Sequence, residues 1–164
     1  MSNRFRSKTA LLLISGLAVA APLGMLVAQD DHAHSEGIYK VRHDGMHKLG
    51  DAFKVIRDQT QAGSPDAAAI KQAAEVVNEV AVDQYKWYPA GSGPKAGVKT
   101  RAKAEIWSKP QDFEAAQKLF AEQAKKLHTA AAGGNVAAVK AQFGEVGKSC
   151  KNCHDNFRAP EDKK

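Results

Sequence analysis

The last helical stretch of this chain carries its apolar residues in steps of three and four: Val136, Val139, Phe143 and Val146. The same steps run on into Cys150, Cys153 and Phe157. Both cysteines therefore lie on the face that points into a core. They are the only two in the chain, three positions apart, with His154 directly after the second. That is the attachment pattern of a c-type haem. Each thiol adds across one vinyl group of the porphyrin, and one helical turn sets the sulfurs at about the separation of the vinyls. The imidazole that follows becomes the proximal ligand of the iron. The pattern calls for one covalent haem c, joined at Cys150 and Cys153, ligated by His154 and buried between helices.

Three other uses of such a pair fit less well. A redox dithiol opens a helix in a βαβ setting, whereas this pair closes a long helical pattern. A structural zinc site needs a second Cys/His pair at finger-like spacing, and His128 lies too far upstream. A disulfide across so short a loop is strained.

The rest of the chain reads as helices. Alanine is abundant and β-branched runs are scarce, and the 43% apolar content is that of a globular domain. From Glu36 a first helix carries Ile38, Arg42, Met46, Leu49, Phe53 and Ile56 on one face, and Gly63, Ser64 and Pro65 stop it. Ser64 before Pro65 reads as the cap of a second helix, over about 66–85, with Ile70, Ala73, Val77, Val80, Ala81 and Gln84 on its stripe. Residues 87–109 form a long connection rich in Gly, Pro and Lys, with Trp87, Ile106 and Trp107 expected to tuck it against the helices. Its Gly91-Ser92-Gly93 lacks the strand, the Gly-Lys-Ser/Thr and the immediate helix of a phosphate loop. A third helix opens after Lys109-Pro110, carries Phe113, Ala116, Phe120, Ala124 and Leu127, and ends at Gly133-Gly134. Asn135 caps the fourth. Four amphipathic helices predict an all-α, antiparallel four-helix bundle over residues 36–160. In up-down-up-down order the first helix starts where the fourth finishes, so Met46 comes close to His154.

Residues 1–28 read as a secretory signal peptide, with a basic start, an apolar middle and small residues at the end; cleavage fits after Ala28 or after Ala20. An uncleaved anchor is the alternative, since the apolar stretch approaches a membrane span in length. Residues 29–35 read as a polar linker containing His32 and His34. Export suits covalent haem attachment, which bacteria perform outside the cytoplasm, and it points to the periplasm. The formal charge of +6 falls when Arg4, Arg6 and Lys8 leave: 24 − 3 gives 21 basic against 18 acidic residues, or +3. No concentrated basic stripe marks a nucleic-acid binder.

The chain resembles class II c-type cytochromes, the cytochrome c-prime family. The likeness rests on Arg42 with Met46, the Pro89-Ala90-Gly91-Ser92 loop, Ala102 through Ile106-Trp107, Phe113, and Cys150 to His154 with Phe157-Arg158. It implies a periplasmic, non-enzymatic haem protein, often a homodimer, with soluble or membrane redox proteins as partners. The family divides by the residue over the iron. Members with methionine there are low-spin electron carriers, and those with an apolar or aromatic residue are high-spin and bind nitric oxide or carbon monoxide. Met46 falls at that position, with His43 as a rival one turn earlier. Arg42 matches the family's arginine at a haem propionate; read without the family, it is a surface arginine paired with Asp44 or Glu36. The resemblance thus implies electron transfer with His154 and Met46 on the iron, and gas binding is the alternative.

Overall fold

The computed structural model describes the backbone of residues 24–95 and 97–161, and side chains from residue 37 onward within them. Most of the expected signal peptide lies outside the described residues. α1 spans Gly24–Gln61, α2 Ala67–Asp83, α3 Glu105–Ser108, α4 Pro110–Ala132 and α5 Val136–Phe157, with one 3-10 turn at Gln84–Lys86. α1, α2, α4 and α5 are the four helices of the expected bundle. α1 packs on α2 and α5, and α4 packs on α2 and α5, closing the ring.

The core follows the predicted stripes. Ile56, Ala74, Val77, Ala81, Ala124, Leu127 and Val146 are fully enclosed. Each stripe recurs at three- and four-residue steps, so each helix turns one face inward and, Arg42 of α1 apart, leaves its described charged residues toward solvent. A second, smaller core of Ile106, Phe113, Ala116 and Phe157 sits where the long connection meets the end of α5.

Three boundaries differ from the sequence reading. The helix expected to start at Glu36 begins at Gly24, so the backbone of residues 29–35 is helical. No proline interrupts 24–61, and nothing there breaks the i→i−4 ladder. The second helix is capped by Asp66, not Ser64: the Asp66 carboxylate accepts from the amides of Ala68 and Ala69, at 2.9 and 3.0 Å. The helix starts two residues later than a Ser64 cap would set it, and the Asp66 carboxylate meets its free first-turn amides. Finally, the connection 87–109 contains α3, one turn too short to leave a periodic signal. Pro110 is itself the first residue of α4, one position before the expected start, and Asn135 caps α5 as expected, accepting from the Ala138 amide.

The connection is fastened to α5 just beyond the cysteines. Ala102 and Arg158 form an isolated antiparallel bridge. Around it the Lys103 amide donates to the Phe157 carbonyl at 3.0 Å, and the Ala159 amide to the Arg101 carbonyl at 2.7 Å. Among the described residues no helix is long and apolar enough to cross a membrane.

Candidate haem site

The inward stripe of α5 holds the two thiols where the sequence puts them. Val146 and Ser149 are buried, and Cys150 and Cys153 are half-buried free thiols one turn apart. Cys150 packs against the main core and Cys153 against the smaller one, so the pair straddles both. Burial pushes each thiol's pKa up to about 11, the neighbouring Cys153 adding to the effect on Cys150. A redox dithiol has the opposite bias, with its thiolate stabilised. His154 follows on the exposed side of α5. The atoms crowding its ring, then the charges of Arg158 and Arg101, hold its pKa below the usual histidine value, against the pull of Asp155. That favours the neutral imidazole, the form that ligates a metal.

The facing helix can be set in register with this one. The Phe53 and Phe143 rings stack across α1 and α5, with centroids 4.8 Å apart. The two helices are antiparallel, so moving seven residues back along α1 and seven on along α5 covers the same rise of about 10 Å. Met46 is therefore level with Cys150. Eleven residues from the same contact, Arg42 is level with His154. Met46 is half-buried against the main core, as Cys150 is.

Arg42 is not the surface ion pair that its sequence surroundings allow. It is only 6% exposed, and Asp44 pairs instead with Lys40 and His43. Its Nη2 donates to the Ser92 carbonyl at 2.6 Å. The guanidinium carbon lies 4.9 Å from the ring centres of both Tyr39 and Tyr88 and 5.6 Å from that of Trp107. Burial lowers its pKa, opposed by Tyr88 and Tyr39, yet an arginine stays protonated in a protein. Nε and Nη1 are buried without a protein partner. A cation enclosed with two unmet donors is costly unless an anion meets it. A haem, which brings carboxylates, fits this position.

The histidines near Met46 face the other way. His43 has 70% of its side chain exposed and makes a 3.2 Å contact from Nδ1 to the Asp44 carboxylate; His47 is exposed as well. Gly45, between Arg42 and Met46, gives the Trp87 indole room to lie on the backbone of α1. A Cβ there would come within 2.1 Å of the ring.

Sequence reasoning singled out Trp107 and residues 89–92 but missed Tyr39 and Tyr88, which complete the wall around Arg42. Trp107 donates from Nε1 to the Pro89 carbonyl at 2.9 Å, the Ser92 hydroxyl donates to the same oxygen at 2.7 Å, and Tyr39 donates to the Gly93 carbonyl. Tyr88 packs edge-on against Phe113, 4.7 Å between centres. Its pKa is pushed up to about 12 by burial and then by Cys153, with Arg42 opposing. Tyr88 thus touches the arginine and packs on the same small core as the second thiol. The aromatic density at positions 85–88 was the available signal, but the acceptors are loop carbonyls whose placement depends on the tertiary path.

The comparisons with known proteins bear on the chain as a whole. The family model described as Cytochrome C' matches residues 38–158. The cytochrome c' of Alcaligenes xylosoxydans xylosoxydans is 33% identical over 127 residues, covering 77% of this chain and 96% of that protein. A crystal structure of a cytochrome c' described as having ligand-controlled dimer dissociation superposes with a TM-score of 0.72 at 30% identity, covering 77% of this chain and 97% of that one. The nitric oxide complex of a point mutant of cytochrome c prime from Alcaligenes xylosoxidans gives 0.70 at 30% identity, with the same coverage. With a core-facing Cys-Lys-Asn-Cys-His on α5 and a bundle that superposes on these proteins, the chain belongs to the cytochrome c' family, four-helix bundles that carry one covalently bound haem c.

Proposed function

We propose that the chain is an exported electron-transfer protein whose haem is joined to Cys150 and Cys153 and whose iron is held by His154 on one side and Met46 on the other. The observation that carries this reading is the register of α1 against α5, which sets the inward thioether of Met46 level with Cys150. Arg42 then pairs with a propionate through its two unmet nitrogens. The bound haem supplies one-electron chemistry, and a methionine–histidine pair raises its potential. The protein's part is to hold both ligands on rigid helices, so that little moves when the charge on the iron changes.

The sequence of the first 28 residues supports export to the periplasm. On this reading the partners are soluble or membrane redox proteins, and the chain carries electrons without enzymatic activity of its own. The family relative with a dissociating dimer supports self-association as a homodimer. One observation favours a second reading. A structural relative binds nitric oxide, so an open iron with Met46 packed aside would make this chain a gas-binding protein. The spectra of Met46→Ala and His43→Ala decide between the readings. Under electron transfer, Met46→Ala alone converts low-spin haem to high-spin haem that takes up carbon monoxide. If His43→Ala does so instead, the ligand assignment is wrong.

A further inference from the structure

The outward face of α1 carries a feature that electron transfer does not use. His43 and His47 stand one turn apart, both exposed, with ring centres 4.3 Å apart and planes inclined by 44°. Their spacing is the i, i+4 arrangement in which two helical side chains meet. A metal bound at about 2.0–2.1 Å by one ring nitrogen lies about 3.1 Å from that ring's centre. Two such rings at right-angled to tetrahedral positions have centres about 4.4–5.1 Å apart. The observed spacing differs from that range by a small spreading of the rings.

The neighbouring carboxylate strengthens the match. Asp44 sits 3.2 Å from His43 Nδ1 and is itself paired with Lys40. A carboxylate accepting from Nδ1 fixes the ring and leaves Nε2 as the free lone pair, as in carboxylate–histidine–metal sites.

We propose that His43 and His47 chelate one borderline divalent transition-metal ion on the solvent face of α1. Imidazole pairs select copper, nickel and zinc over magnesium or calcium. Among the described residues no third histidine, cysteine or carboxylate joins them, so the ion keeps open positions for water or for a ligand on another molecule. This site is separate from the haem, because Arg42, Met46 and Leu49 occupy the inward stripe of the same turns.

Isothermal titration of the haem-loaded, full-length protein with Zn2+, which has no redox chemistry of its own, tests the proposal. The expected result is one zinc per chain, bound through both rings. His43→Ala and His47→Ala should each weaken it about 100-fold, since a second ligand on the same scaffold gains about 10²–10⁴ in apparent affinity. The His32→Ala/His34→Ala double variant should leave it unchanged. Haem absorption and helical circular dichroism, unaltered in each variant, show that folding is intact. No zinc uptake, or uptake lost in the 32/34 variant and kept in the 43 and 47 variants, would overturn the assignment.

Discussion

At the scale of single residues, the guanidinium of Arg42 is the group whose surroundings demand the most explanation. Three aromatic rings and one carbonyl hold it, and two of its nitrogens are unmet by protein. If they bind a propionate, Arg42→Met leaves that carboxylate without its partner. Unfolding of the haem-loaded variant should then show a loss of about 1–3 kcal/mol, whereas coincident curves would contradict a buried propionate partner. Gly45 gives a test of the opposite kind. Gly45→Ala adds one methyl group where the Trp87 ring already lies, and the rigid indole cannot give way. Overpacking of this sort costs about 1–3 kcal/mol and should move the Trp87 fluorescence. Tyr88 sets an alkaline limit. Its pKa is raised in the folded protein from 10.0 to about 12, so the stability it contributes is complete below pH 10 and is lost as pH rises toward 12. Two units correspond to about 2–3 kcal/mol, and denaturant titrations of Tyr88→Phe should lack that part of the decline.

The helices show which signals a sequence carries well. The stripe Val136, Val139, Phe143, Val146, Cys150, Cys153 and Phe157 is legible because one helical period governs all seven positions, and the structure turns that stripe inward. Caps are less legible. Ser64, Pro65 and Asp66 all favour a helix start, and only the path of the turn decides that Asp66 takes the amides. Asp66→Ala should therefore destabilise the bundle by about 1 kcal/mol in denaturant unfolding, with Ser64→Ala near neutral. The reverse order would restore Ser64 as the cap. α3 left no periodic trace because one turn is too short, and the helical run over 29–35 went unread because polarity was taken for irregular backbone. Polar residues lower helix propensity only slightly, and without proline or a turn signal the ladder continues.

For the molecule as a whole, the bundle and its haem-bearing helix were open to sequence reasoning, and the enclosure of Arg42 was not. Periodicity tells which face of a helix is buried; it says nothing of which carbonyls a loop brings to that face. Ser92, Pro89 and Gly93 reach α1 and Trp107 only through the tertiary course of residues 87–95. Met46 lies between these cases. Its inward position follows from the period, and its level along α1 follows from the Phe53–Phe143 contact. Whether its sulfur closes the iron is the point on which electron transfer and gas binding part. Exposure of the ferrous wild-type protein to carbon monoxide reads this directly in the optical spectrum. With His154 and Met46 both on the iron, the haem is low-spin and its spectrum stays unchanged by the gas; a high-spin haem that takes up carbon monoxide at once would contradict the account.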